Sequence, residues 1–353
     1  MLVRLISGDR PRSVLLSVVL IAIAVSLAFA PFLFPGTRSL DTAARICIFI
    51  ALVASYDLLL GYTGIVSFAH TMFFGLGAYG VAIALKTMGP SFAAVALGAT
   101  LGTLAAALLA LLIGLFSLRV RAIFFAMVTL AVASAFELLV SQLSFLTGGE
   151  DGLNYSIPSA LTPGFRLTEE RVLGVAINGR LIAYYLIYFA SAALFLVMLR
   201  VVNSPFGRVL QAVRENAFRA EAIGYRVVYY RTAATVLSAA MAALAGALLA
   251  LWLRYTGPAT TLSLEIMVDI LLMIVIGGMG TMYGAVLGAT VFIIAQNYLQ
   301  NLMKLVSEAT GSVPLLPNLL HPDRWLLWLG ILFILSVYFF PAGIVGRLRS
   351  SRG

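Results

Sequence analysis

From Ser13 to Phe34 the chain carries no charged side chain, a run of 22 residues. As a helix, that length crosses about 30 Å of hydrocarbon. Lipid offers no hydrogen-bond partners, so a spanning backbone must satisfy itself within a helix or a closed barrel. Nine further apolar segments follow. They are 42–60, 65–85, 91–116, 122–143, 181–199 and 232–253, two within 262–303, and 325–340. The uncharged run Ile270 to Met303 holds 34 residues, too long for one ordinary crossing. Its middle, GGMGTMYG (Gly277 to Gly284), divides it. The expected fold is an all-α polytopic membrane protein of about ten transmembrane helices, some broken by glycine, forming one domain over residues 1–353. A cleaved signal peptide competes for the first run, because Ala28-Phe29-Ala30 resembles a cleavage site. The run is long for a signal and continues past that site through Pro31.

Composition narrows the chemistry. Only 10% of residues are charged and 62% are hydrophobic, whereas soluble domains are nearer a quarter charged. The net charge of +9 has no soluble domain to sit on, which argues against nucleic-acid binding. One cysteine, Cys47, allows neither an internal disulfide nor a cysteine metal cluster. Two histidines cannot build a zinc site of the usual kind, so no metal is expected. The only lysines are Lys86 and Lys304, and no glycine-rich loop ends in Lys-Ser or Lys-Thr. The expectation is a non-enzymatic chain with no cofactor of its own. If ATP drives it, another chain hydrolyses it.

Residues 203–231, NSPFGRVLQAVRENAFRAEAIGYRVVYYR, form the longest basic amphipathic stretch. Ser204 can cap a helix and Pro205 suits its first position. Phe206, Val209, Leu210 and Val213 recur at helical spacing, with Arg208, Gln211, Arg214 and Glu215 opposite. Asn216 can cap a second short helix ending at Gly224, which accepts a left-handed backbone. Such a segment is too polar for lipid, and we read it as a docking surface for a cytoplasmic partner. A basic loop that only fixes topology is the competing account. Residues 144–180 form the other long polar stretch and are read as a periplasmic loop. With both termini cytoplasmic, the inner segments hold 14 of the 23 basic residues, as the positive-inside rule requires.

Two glycine-rich breaks interrupt the apolar pattern, Gly61-Tyr62-Thr63-Gly64 and Gly277-Gly278-Met279-Gly280-Thr281. Paired breaks in the two halves of a chain point to a transport path; tight turns at the membrane surface are the alternative. Intramembrane ionisable residues are functional candidates by default, which marks Asp57, Glu137, Glu265, Asp269 and His70. A lone histidine in an apolar helix is more often a hydrogen-bonded packing residue than a ligand.

DLLLGYTGIVSFAHTMFFGLGAY (Asp57 to Tyr79) resembles the characteristic region of bacterial ABC-importer permeases for branched-chain amino acids. TGGEDGL (Thr147 to Leu153) is similar to that family's TGG-x-x-GL element. SPFGRVLQAVRENAFRAEAIG (Ser204 to Gly224) resembles its cytoplasmic coupling segment, and IGGMGTMYGAVLGA (Ile276 to Ala289) its second glycine motif. The likeness is to the longer, M-type subunit. Asp57 stands where the family usually has Asn, and Asp269 where it usually has an apolar residue.

The resemblance implies several partners: a shorter H-type permease, two ATPase subunits that bind ATP and Mg, and a periplasmic amino-acid-binding protein at the bacterial inner membrane. It implies ATPase coupling through Arg208, Arg214, Glu215, Asn216, Arg219, Glu221, Ala222 and Gly224. It places Gly61, Gly64, Ser67, His70, Glu137, Gly277, Gly278 and Gly280 along the translocation path. Urea and short-chain amide permeases share most of these motifs, so they remain an alternative for the substrate. A proton-coupled carrier using the membrane acids, and a structural subunit using only the basic segment, are the other classes weighed.

Overall fold

The computed structural model describes residues 13–33, 36–117, 122–172, 175–309, 321, 324–339 and 343–350. All ten expected segments are helical. They are α1 (Val14–Ala28), α2 (Thr37–Thr63), α3 (His70–Met88), α4 (Phe92–Ser117), α5 (Ala122–Gln142), α6 (Gly179–Val202), α9 (Val227–Leu253), α10 (Leu264–Gly277), α11 (Met282–Ala309) and α12 (Trp325–Phe339). The basic segment supplies α7 (Pro205–Glu215) and α8 (Ala217–Ala222), and a last helix α13 spans Gly343–Ser350. Eight helices among the described residues are long and apolar enough to cross a membrane. The outer two of the ten, α1 and α12, have 15 residues each, about 22 Å of helix.

Helices α2, α3 and α9 form the buried centre. Helices α4 and α5 lie outside them and expose Leu101, Leu104, Leu108, Phe124 and Met127, as lipid-facing helices should. The centre is drawn together by small residues. A Cβ at Gly77 would strike the Ala243 carbonyl, and one at Gly246 the Phe74 carbonyl. Gly80, Gly98 and Gly102 also bring α3 into backbone contact with α4, less tightly. Without a hydrophobic force between helices in lipid, such backbone approach supplies the packing energy. The short α1 is tied to α6 by three tyrosines. Tyr184 donates to the Leu27 carbonyl, Tyr185 to Ala28 at 3.0 Å and Tyr188 to Ala24 at 3.2 Å.

The polar stretch 144–180 is partly ordered by β-pairing. Leu153 and Asn154 pair antiparallel with Thr256 and Tyr255. A second two-stranded ribbon pairs Arg166–Val172 with Val175–Asn178. The expected second span begins five residues earlier than its apolar run, at Thr37, because Arg38, Asp41 and Arg45 all find partners on neighbouring helices or one turn away.

Candidate functional site: the junction of the basic segment and the glycine turns

The basic segment folds as its capping residues dictate. Ser204 Oγ accepts from the Gly207 amide, and Asn216 Oδ1 accepts from the Arg219 amide at 2.9 Å. Gly224 has φ of +99° and ends the second helix. Val213 and Ala220 are buried against Val227, so the two short helices fold back onto the start of α9. Phe206 stacks on Tyr230 with ring centres 5.8 Å apart. The outward face carries Arg208, Glu215, Arg219, Glu221 and Ala222, all exposed, together with Phe218, 82% exposed.

Arg214 belongs to a different surface. Its Nη1 donates to the carbonyl of Gly61, 153 residues away in sequence. The same nitrogen lies beside Gly280, where a Cβ would meet it, and its methylenes lie against Gly64. Asp57, wholly buried, accepts from the Gly280 amide through Oδ1 at 2.8 Å. A Cβ on Gly61 would collide with Asp57 and with the Gly280 amide. The two glycine motifs and the basic segment therefore meet at one point, bridged by one guanidinium and one carboxylate. Asp57 Oδ2 has no hydrogen-bond partner among the described residues. The Arg214 guanidinium lies beside the same two glycine backbones that enclose Asp57.

The backbone of each turn follows from its residues. Gly61 is still helical, and Gly64, with φ of +72°, ends α2. Residues 65–69 then run without helix although Ile65, Ser67 and Ala69 are buried. Their amides find partners: Phe68 N–H donates to Thr129 Oγ1 at 3.0 Å, and Ala69 N–H to Ser67 Oγ at 3.3 Å. That satisfies the rule that irregular backbone at membrane depth needs protein around it. Gly277 closes α10, while Gly278 and Gly280 take positive φ in the turn to α11. Gly343, at the start of α13, packs on Gly278. Both breaks are thus interhelical turns at the end of the bundle that carries the basic segment.

His70 opens α3 in the buried centre. Ser55 Oγ donates to the Leu52 carbonyl at 2.6 Å, so it accepts from His70 Nε2–H at 2.8 Å. The Tyr56 ring lies 4.9 Å from the imidazole. Nδ1 of His70 and the Tyr56 hydroxyl have no partner among the described residues. Glu137 sits apart, half-buried on the peripheral α5. Asp269 is held by Gln296 at 3.5 Å, and Glu265 is exposed. The acids do not form a line along one helix.

The TGGEDGL element has a structural task that its spacing did not disclose. Thr147 Oγ1 donates to the Val140 carbonyl at 2.6 Å, and Gly148, Gly149 and Gly152 all take positive φ. This reverses the chain so that Leu153 and Asn154 reach the strand after α9. Tyr155 Oη then donates to the Ala250 carbonyl at 2.9 Å, and burial raises its hydroxyl pKa, keeping it a neutral donor.

The architecture is that of a polytopic helical permease, and comparison with known proteins identifies which. Residues 39–337 match the family model described as branched-chain amino acid transport system, permease component, and the chain belongs to that family. It is 26% identical over 340 residues to the high-affinity branched-chain amino acid transport system permease protein LivM of Salmonella typhimurium, and 25% identical to that of Escherichia coli. Each alignment covers 90% of this chain and 76% of the relative. A probable LivM from Methanocaldococcus jannaschii is 28% identical over 163 residues, covering 46% of this chain and 45% of that protein. The chain therefore spans less than half of the archaeal relative. No solved structure matches it significantly.

Proposed function

We propose that this chain is the membrane-spanning subunit of an ATP-driven importer for leucine, isoleucine and valine. In this reading a periplasmic binding protein delivers the amino acid, a second permease completes the path, and two ATPase subunits grip the basic segment from the cytoplasm. The observation that carries the reading is the Arg214 bridge. A displacement of α7 by a closing ATPase acts on Gly61 and Gly280 at once, so both glycine turns receive the same push. The exposed residues Arg208, Glu215, Arg219 and Glu221 supply charged contacts, and Asn216, Ala222 and Gly224 set the shape of the docking edge. Ser67 and His70 lie just beyond the first turn, where a shift of α2 against α3 alters the path. The segment 203–231 is thus the cytoplasmic coupling element, and 144–180 lies on the periplasmic side of the inner membrane.

Reconstitution tests this directly. Proteoliposomes holding the whole assembly should import leucine only with loaded binding protein outside and ATP inside. A proton gradient without ATP should drive nothing, and Glu137→Gln should not make uptake gradient-dependent. Gradient-driven uptake abolished by Glu137→Gln would establish a secondary carrier instead. ATP-driven uptake of urea or acetamide, with none of leucine, would move the substrate to the amide class.

A further inference from the structure

At the end of α2 opposite the basic segment, one face carries Arg38, Asp41, Arg45 and Phe49, spaced three and four apart. Going inward, the same face continues through Leu52 and Tyr56, both fully buried. It opens at one end and closes beside the Tyr56–His70 contact. The open part is built around a single carboxylate. Asp41 Oδ1 accepts from Trp252 Nε1 at 2.7 Å, and Oδ2 from Arg45 Nε at 3.0 Å. The Arg180 guanidinium lies over the Trp252 ring at 5.4 Å. Arg38 donates to the Asn297 carbonyl at 2.8 Å and lies over Tyr298 at 5.8 Å. Three guanidinia thus gather at this end of α2, and one of them, Arg45, pairs with an acid whose two oxygens are both occupied.

Arg45 differs from the other two. Only its Nε is engaged among the described residues, and its side chain is 42% exposed. Trp252, bonded to Asp41, sits in the last turn of α9, at the end of the bundle away from the basic segment. Arg45 lies one turn, about 5.4 Å, deeper. A guanidinium at that depth avoids acyl chains and faces protein or water. Asp41, itself fixed by Trp252, holds the Nε edge of Arg45, leaving the two terminal nitrogens as a fork. Such a fork pairs with a carboxylate through two parallel hydrogen bonds.

We propose that the Arg38–Phe49 face of α2 is the outer vestibule of the path and that Arg45 receives the α-carboxylate of the arriving amino acid. Asp41 and Trp252 are its positioning residues. The proposal rests on the import reading above and specifies the substrate chemistry. Urea and neutral amides have no carboxylate to offer this fork. Phe49, one turn further in, is placed to meet an apolar side chain.

The test uses the whole assembly in proteoliposomes, with leucine-loaded binding protein outside and ATP inside. Arg45→Gln is expected to lower leucine imported per ATP hydrolysed about tenfold, the scale of one charge-assisted pair, while binding-protein-stimulated hydrolysis is retained. Arg45→Lys should keep part of the lost yield. An unchanged yield in Arg45→Gln overturns the proposal. So does an equal fall in stimulated hydrolysis, which would make Arg45 a docking contact. A second measurement leaves Arg45 in place: Phe49→Cys in a Cys47→Ser background is treated from outside with anionic and cationic thiosulfonate reagents. The anionic reagent should react faster, after correction for its rate with a free thiol. No reaction, or faster reaction with the cation, overturns the vestibule. If the unsubstituted assembly imports no leucine, the import reading fails, and the thiol rates still decide whether this face is open and cationic.

Discussion

Replacing Gly61 by alanine would set a methyl group against Asp57 and the Gly280 amide, both backed by rigid backbone. Overpacking of this kind costs about 1–3 kcal/mol, so Gly61→Ala should lower the thermal midpoint of the purified assembly and its transport together. Arg214→Gln is expected to act from the same place. It leaves the Gly61 carbonyl without its donor, and should reduce thermostability even in the isolated chain. Glu221→Arg, on the exposed face, should leave that midpoint unchanged and weaken only ATPase co-purification. Equal midpoints for Arg214→Gln and the unsubstituted chain would remove the bridge from the account. The sequence groups Arg214 with Arg208 and Glu215 by helical spacing, whereas in the fold its guanidinium turns to the Gly61 carbonyl. It could not show that Gly61 and Gly280 arrive opposite Arg214, because those partners come from other helices. The Asp at position 57 is the available clue: an acid beside a glycine turn asks for donors, and the Gly280 amide supplies one while Arg214 binds the adjacent Gly61 carbonyl.

Among the elements, the pair α7 and α8 was the most legible. Ser204, Pro205, Asn216 and Gly224 announce its starts and stops, and each cap forms as its chemistry requires. Ser204→Ala should therefore cost about 1 kcal/mol of local stability, read as faster amide exchange across α7. The exposed Phe218 was missed because its apolar character looks like core in a one-dimensional pattern. In the folded chain it projects from the tip of the segment, 82% exposed, between charged neighbours. An aromatic anchor ringed by charge is the usual form of an interface hot spot. Phe218→Ala is expected to weaken ATPase association by about tenfold or more, without lowering the thermal midpoint. Retained co-purification at limiting ATPase would assign the docking energy to the charges alone. The polar stretch 144–180 was less legible. Its first strand, Leu153–Asn154, is too short to show alternation, and the pairing partner of Leu153 lies beyond four further helices.

For the whole molecule, the proposed topology, which rests on charge bias, puts the basic segment in the cytoplasm and the Asn154 region outside. In a Cys47→Ser background, Asn154→Cys should react with an impermeant thiol reagent on intact cells, and Glu221→Cys only after lysis. The reverse pattern would invert the topology. The ten apolar segments were legible as helices, eight of them long enough to cross a membrane among the described residues, because lipid demands a self-satisfied backbone. Their arrangement was not, since it depends on which glycines face which carbonyls. Those close approaches have a consequence for how deuterium enters the protein. Where Gly77 and Gly246 let α3 and α9 touch backbone to backbone, neither helix can open a turn without displacing the other. Their amides should then exchange as a single cooperative unit, at one common rate, however different their positions in the sequence. The turns at Gly64 and Gly280 lie outside that unit, and labelling in the presence and absence of nucleotide should find the difference there.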